Sequence, residues 1–334
     1  MIAACRTVCF AFLVLFACQL GGAASGAADP PWGIGGQTTY AVDGLSFSMR
    51  LAPAAEFPVW TSDGGMERVA DPFWIAKTQV TYELWYHVRV WAEEQGYTFA
   101  NAGCEGTNLG SGSWHAGYEK AGIAPTERGR EPVTMVSWYD CIVWCNALSE
   151  LLGYTPVYAS NGSVLRDSAA AEAVQDVTRR DSDGFRLPTE SEWELAARYQ
   201  GEDDSHDAIL MDGLYWTPGS HASGGIGSIY RPADEEALAQ LSELAWYKDN
   251  SDVDGTGLRT HAVGQKQANA LGLFDMTGNV WEWCFTSGGP GGRHRVLRGG
   301  HFYGDHRVLR VGYASTLPPE LTYPRNGFRL ARSD

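Results

Sequence analysis

The residues best suited to chemistry are four cysteines, two histidines and a few carboxylates. Cys104, Cys141, Cys145 and Cys284 lie beyond the N-terminal apolar run, and a thiolate would serve as a nucleophile or a soft metal ligand. Cys141 and Cys145 stand four apart in a helical pattern, so they share a face rather than a bond. No Cys-x-x-Cys or paired histidine accompanies them, which argues against a zinc site. Four cysteines allow three disulfide pairings, and spacing does not choose among them. His301 and His306 are five apart with no carboxylate or cysteine at ligand spacing, the pattern of ordinary hydrogen-bonded histidines. Residues 250–255 read Asn-Ser-Asp-Val-Asp-Gly, the first half of a calcium loop, yet the twelfth position is His261 where an EF-hand needs glutamate. Glu282 sits between Trp281 and Trp283, as a sugar-binding acid or a buried hydrogen-bonded carboxylate would. The Glu-Pro-Asn and Gln-Pro-Asp triplets of calcium lectins are absent. No Ser-His-Asp arrangement can be located, and no phosphate-cradling glycine loop follows a strand.

Binding chemistry is better represented, near the C-terminus. Residues 295–300 (Arg-Val-Leu-Arg-Gly-Gly) and 327–332 (Gly-Phe-Arg-Leu-Ala-Arg) alternate apolar side chains with arginines, as strands that anchor a core do. Between them, 301–306 is irregular, and 314–326 carries three prolines and no sustained period. That segment forms neither one helix nor one central strand. It reads as a loop on a scaffold built by its flanks, where proteins place recognition. By position, the candidate ligand-binding residues are Phe302, Tyr303, Gly304, Asp305, His306, Ser315, Thr316, Leu317, Glu320, Leu321, Tyr323 and Arg325. Tyrosine supplies rigid contact area with a polar tip and arginine a directional charged fork, which suits protein surfaces. Phe302 and Leu317 are also of types that pack into cores.

The elements that must position these residues are legible upstream. Leu45, Phe47, Met49 and Leu51 alternate as in a strand. Thr81 predicts a helix cap, after which Leu84, Val88 and Trp91 define a buried face up to Gly96. Residues 97–130 read as a long surface loop. Ser137 with Asp140 starts a second helix whose apolar stripe is Cys141, Trp144, Cys145 and Leu148, stopped by Gly153. Thr189 with Glu192 is a full capping box and turns Trp193, Ala196 and Ala197 inward. Residues 270–284, dense in rings and glycines, imply short buried strands with tight turns. No fixed repeat or linker divides the body, so 37–334 is read as one domain.

Composition narrows the function classes. Forty acidic against 25 basic residues give a formal net charge of −15, the surface of a soluble exported protein. No Lys/Arg cluster or basic amphipathic helix is present, so no nucleic-acid partner is expected. Residues 8–17 are apolar after Arg6, too short to span a membrane, and 1–17 reads as a signal peptide. Leu15, Ala17 and Cys18 resemble a bacterial lipobox. That resemblance implies an acylated Cys18 followed by a Gly/Ala/Ser-rich tether over 18–36. Multiple acyl chains would hold the protein on a membrane without crossing it, at the bacterial envelope and facing outward. Ordinary signal-peptidase cleavage near 23–28 is the alternative.

These segments, in this order, resemble the formylglycine-generating enzyme (sulfatase-modifying factor) family. Residues 73–85, 132–149, 184–198, 245–251, 269–284, 295–300 and 327–332 carry the likeness, above all Gly-Asn-Val-Trp-Glu-Trp at 278–283 and Gly-Phe-Arg-Leu-Pro-Thr-Glu-Ser-Glu-Trp at 184–193. The resemblance implies an α+β, C-type-lectin-like fold of the formylglycine-generating-enzyme subtype, with short helices around a small, mostly antiparallel sheet and many loops. Enzymes of the family use two cysteines downstream of Arg-Gly-Gly for copper and oxygen. Here the corresponding positions fall near Gly304 and Leu309, and no cysteine follows Cys284, which implies a non-enzyme. The related enzymes also carry structural calcium, so Asn250 and Glu282, with backbone carbonyls near Asn279, are candidate ligands. No other cofactor is implied.

The leader and the irregular content before Gly-Phe-Arg-Leu-Ala are further similar to the variable proteins of bacterial diversity-generating retroelements, closest to the Treponema variable protein type. In that family, codons near the C-terminus are mutagenised while the scaffold stays fixed. The likeness implies a variable region near 295–332 on a surface-displayed, lipid-anchored, non-catalytic binder of an extracellular protein or other macromolecule. The alternatives are a formylglycine-generating-type oxidase, or other enzyme using unrecognised residues, and a structural envelope lipoprotein with no specific ligand.

Overall fold

A computed structural model of the chain describes residues 33–59, 65–110, 120–173, 177–230 and 233–333. The expected signal segment 1–17, the lipidation residue Cys18 and tether residues up to 32 lie outside the described residues. The body opens on a hairpin, Gln37–Val42 against Leu45–Ala52. Asp43 and Gly44 turn it with φ of 48° and 81°, the two left-handed positions that a tight hairpin of matching twist requires. Leu45–Ala52 pairs with Phe73–Ala76, which pairs with Ala331–Arg332 near the C-terminus, which pairs with Phe185–Arg186. The ends of the domain therefore share one five-stranded antiparallel sheet.

A second sheet has four strands in the order Ala314–Leu317, His294–Arg298, Trp281–Gly288, Asn326–Gly327, with only the last pair parallel. Residues 314–317, expected as part of a loop, are the edge strand of this sheet. Beyond them Pro318 and Pro319 supply no N–H to a ladder, and the chain to Arg325 is irregular. The expected 327–332 anchor is likewise split, into Asn326–Gly327 in one sheet and Ala331–Arg332 in the other.

Among the described residues, five α-helices pack around these sheets: α1 Tyr82–Glu94, α2 Trp138–Leu151, α3 Ser168–Ala173, α4 Glu190–Arg198 and α5 Glu235–Leu244. Thr81 accepts from Leu84 N, and both predicted capping boxes, Ser137/Asp140 and Thr189/Glu192, are formed. In α2 the expected stripe is buried, but so are Ile142, Val143 and Ala147 on its other side, the signature of a helix enclosed by the core. Asn146 is tolerated there because its amide bonds Tyr158 on both N–H and carbonyl and Leu165 on the carbonyl. Cys104, Cys141, Cys145 and Cys284 are all buried, and Cys141, Cys145 and Cys284 are free thiols, so none of the three pairings among these four occurs.

The two sheets are joined through one buried ion pair. Glu282 and Arg329 are both fully inaccessible. Arg329 donates Nε and Nη2 to the two oxygens of Glu282 at 2.6 and 2.7 Å, and also bonds the carbonyls of Ala76 and Phe274. Trp193 of α4 donates to Glu282 Oε2 at 2.7 Å and Gln79 to Oε1 at 3.0 Å. Removing one partner of such a pair leaves a charge stranded in the interior, at a cost of about 3–5 kcal/mol. Glu282→Ala is expected to lower unfolding stability by that amount in urea titration, against about 1 kcal/mol for the cap variant Thr189→Ala. A Glu282→Ala loss no larger than the cap's would show that the pair does not hold the sheets together.

Candidate recognition face

The structure sorts the candidate residues into three groups. Phe302 is 0% exposed, and its backbone is held by Asn279 O and Ser251 Oγ. It belongs to the core and is removed from the binding set. Gly304 is also buried, and a Cβ there would meet Val308 Cγ2 at 2.6 Å. It too is removed. Leu317 packs its side chain partly against the main core.

Asp305 and His306 form a turn. Asp305 caps the short 3-10 helix His306–Val308 and pairs with the Arg307 guanidinium, which draws its carboxyl below the usual range. The His306 ring nitrogen Nδ1 donates to Ile229 O at 2.6 Å. Among the described residues no group of three or more His, Cys, Asp or Glu side chains is placed to hold a metal ion.

Tyr303, Ser315, Thr316, Glu320, Leu321, Tyr323 and Arg325 remain accessible in whole or in part. Tyr323 and Arg325 are positioned by their backbones, through Met135 N to Tyr323 O at 3.2 Å and Trp281 N to Arg325 O at 2.7 Å. Arg325 donates Nη1 to the Tyr303 hydroxyl and lies over the rings of Tyr303 and Tyr323, 5.7 and 4.9 Å from their centroids. The Tyr303 ring meets that of His301 at 4.0 Å, tilted by 59°, and His301 lies 5.7 Å from Trp281. Trp281 meets Tyr313 at 5.9 Å, and Arg310 bridges Tyr313 and Tyr230. The result is a continuous row of rings and guanidinium groups, each contact adding on the order of 1 kcal/mol.

Five members of this row, Tyr230, Trp281, His301, Arg310 and Tyr313, escaped the positional reading. Trp281 and Tyr230 are distant in sequence, and only pairing of the central strand with Asn326–Gly327 brings Trp281 beside Arg325. Arg310 and Tyr313 belong to a regular-looking stretch that gave no sign of exposure. His301 was weighed only as a metal ligand. Its ring is deeply buried beside Arg325, and burial first, then that charge, push its pKa down to about 3. It is a neutral imidazole, and its Nδ1 has no hydrogen-bond partner.

The calcium set is partly reorganised. Asn250 Oδ1 accepts from Tyr247 N and its amide donates to Ala245 O, while the Asn279 amide is closed on both sides of His261. Each of these side-chain oxygens accepts one main-chain N–H. Glu282 Oε1, which accepts from Arg329 and Gln79, lies in company with main-chain oxygens. Gln79 Nε2 lies 3.0–3.4 Å from Glu282 Oε1 and the carbonyls of Asp275, Gly278 and Val280. Two amide hydrogens cannot serve four acceptors. Gln79 Oε1 and Asp275 Oδ1 are buried beside them without partners, and burial raises the Asp275 carboxyl to about 6. An all-oxygen set of this kind suits a hard cation. Gln79 also lines a groove of about 450 Å³.

The thiols are unsuited to nucleophilic work. Burial pushes the Cys141, Cys145 and Cys284 thiols up, away from the thiolate form that reacts or binds copper. At the positions where the family's cysteines were expected stand Gly304 and Leu309, both buried and neither able to ligate a soft metal.

The match to known proteins agrees with this architecture. Residues 36–334 match the sulfatase-modifying factor enzyme 1-like domain, and the chain belongs to that family, with its C-type-lectin-like α+β fold. The solved structure of Treponema denticola variable protein 1 superposes with a TM-score of 0.61 at 28% identity, covering 89% of this chain and 99% of that one. The chaperone protein LppX of Paenibacillus barcinonensis is 29% identical over 215 residues, 62% of this chain and 71% of its own length. The formylglycine-generating enzyme of Mycobacterium tuberculosis is 34% identical over 144 residues, 41% of this chain and 34% of that enzyme.

The division between core and face is testable by denaturation. Phe302→Ala is expected to cost about 3–5 kcal/mol, whereas Glu320→Ala and Arg325→Gln should each cost about 1 kcal/mol or less. Equal losses in all three would place the face residues in the core.

Proposed function

We propose that this chain is a non-catalytic binding protein of the bacterial envelope, anchored through an acylated Cys18, that recognises an extracellular protein with the row from Tyr323 to Tyr230. The observation that carries this reading is the row itself. Partly exposed Tyr230, Tyr303, Tyr313, Tyr323 and Arg325, of the residue types that dominate recognition hot spots, stand on a floor of buried Trp281, His301, Phe302 and Arg310. Such a floor pre-organises the face and lowers the entropy cost of binding. The likeness to a variable protein supports a face whose residues can change over a fixed scaffold. A relative named as a chaperone supports a polypeptide partner. The absence of a family thiol pair at Gly304 and Leu309 supports a role without oxidation.

Arrays of purified extracellular proteins, probed with the chain and with a Tyr313→Ala/Tyr323→Ala variant of unchanged Tm, test this. Specific binding that weakens at least tenfold in the variant is expected. Binding by the variant at wild-type strength would overturn the assignment of the face. Conversion of a cysteine-containing sulfatase peptide to its aldehyde, with copper and oxygen, would overturn the non-catalytic reading.

We also propose that a structural calcium is held by the carbonyls of Asp275, Gly278 and Val280 and by Glu282 Oε1, with the Gln79 amide turned so that its oxygen faces the ion. Ligands that bind only the folded state stabilise it in proportion to RT ln(1 + [L]/Kd). The Tm is therefore expected to rise by several degrees between chelator and millimolar calcium, and an identical Tm in both would remove the calcium.

A further inference from the structure

The groove of about 450 Å³ opens between the N-terminal hairpin and α1, and its size lies in the range of small-molecule sites. One wall is residues 44–48, the floor is residues 76–81, and the facing wall carries Val263, Gly264 and Phe274. Main-chain contacts orient it. Lys77 N bonds Ser48 O at one end. At the other, Asp43 meets His87, one helical turn beyond Glu83, and Glu83 N bonds Gly129 O beside Arg130. Three strand steps from Leu45 to Ser48 give a slot about 10 Å long. Its lining shares no residue with the row from Tyr323 to Tyr230.

The ionisable side chains on this lining are Lys77, Glu83 and Arg130. Glu83 and Arg130 lie at the same end and offset each other. Lys77, partly exposed at the Ser48 end, meets only neutral groups, the Gln37 amide oxygen at 3.5 Å and the Phe274 ring centroid at 5.6 Å. The charge that acts on it is a second cation, Arg50; burial first and then Arg50 lower the Lys77 pKa. Among the described residues neither Lys77 nor Arg50 forms an ion pair, whereas Arg89 in α1 pairs with Glu93 and Arg128 with Glu131. Two like charges beside an open cavity are unfavourable without a counter-ion, and an anion placed in the cavity removes the conflict. The positive end of the α1 dipole, at Thr81 and Leu84 on the same lining, acts in the same direction.

We infer that this groove is a second binding site, separate from the recognition face, for a small organic anion whose carboxylate or phosphate group sits on Lys77 and whose polar body lies along Ser46 and Ser48. The lysine ammonium is a compact charge with three rotatable donors, so it serves either anionic group. The serine hydroxyls both donate and accept, which suits the hydroxyls or amides of such a body.

The test is calorimetric titration of the full chain, in low-salt buffer that leaves surface charges unscreened. The probes are succinate, glucuronate and glycerol phosphate, each beside its neutral counterpart, succinamide, glucose or glycerol. At least one anion is expected to bind tenfold or more above its counterpart. Succinate or glucuronate as that anion identifies a carboxylate site, glycerol phosphate a phosphate site. Lys77→Gln should weaken the binding at least tenfold, and Lys77→Arg should retain most of it. Ser46→Trp, an exposed position whose new ring fills the slot without changing the charge, should also abolish binding. Lys120→Gln removes the same charge from an exposed position outside the groove and should leave binding intact. Equal binding of anions and neutral counterparts, or no binding of either, overturns the site. So does anion binding that survives Lys77→Gln or Ser46→Trp, or that Lys120→Gln weakens as much as Lys77→Gln does.

Discussion

The carboxylate of Glu282 is the point on which the rest of the molecule depends. Four donors from Arg329, Trp193 and Gln79 converge on its two oxygens, and each comes from a different part of the chain. Arg329 adds the sheet that holds the N-terminal hairpin, through Ala76 O, and the loop at Phe274. A buried ion pair is weak evidence for stability in itself, because desolvation offsets much of the attraction. Its effect here is geometric. Only one arrangement of the two sheets and α4 satisfies all of these groups, and any other leaves a charge unpaired in the interior.

The same logic repeats around α4. Glu192 closes the helix cap and pairs side-on with Arg186, and although burial opposes ionisation, Arg186 holds its carboxyl below the usual value. Glu194, two residues on, takes Arg198 from its own helix and Arg298 from the strand His294–Arg298. Arg298 also bonds Val311 O, so the segment that begins at Arg-Gly-Gly is tied at both ends to a rigid helix. The face above it is thus irregular in sequence but fixed in position. The ion pairs that hold this scaffold, Glu282–Arg329, Glu192–Arg186 and Glu194–Arg298, share no residue with the row from Tyr323 to Tyr230.

Chemistry and recognition diverge over the same few residues. Oxidation would need thiolates in reach of solvent, and the described cysteines are enclosed in the core with their thiols pushed up. Recognition needs rigid rings and directional charge with some exposure, and this is what lies between Trp281 and Arg325. Gly304, pressed against Val308, shows how completely one of the positions expected for a thiol has been absorbed into packing.

The sequence alone determined the local features. The caps at Thr81, Ser137 and Thr189 and the family resemblance carried by 184–193 and 278–283 rest on short-range rules, in which each residue answers to neighbours three or four positions away. It also singled out residues 295–332 as two regular anchors around an irregular middle. Tertiary structure decided which of those residues face out. Phe302 and Tyr303 are adjacent and both aromatic, yet one is core and the other face, because the carbonyl of Phe302 is fixed by Ser251 and its amide by Asn279. The side-chain amides of Asn250 and Asn279 bond nearby main chain in ways that no local pattern announces. Trp281 and Tyr230 joined the row only when strand pairing brought segments more than forty residues apart into contact. Burial and partnership are properties of long-range packing, and no local pattern of residue types encodes them.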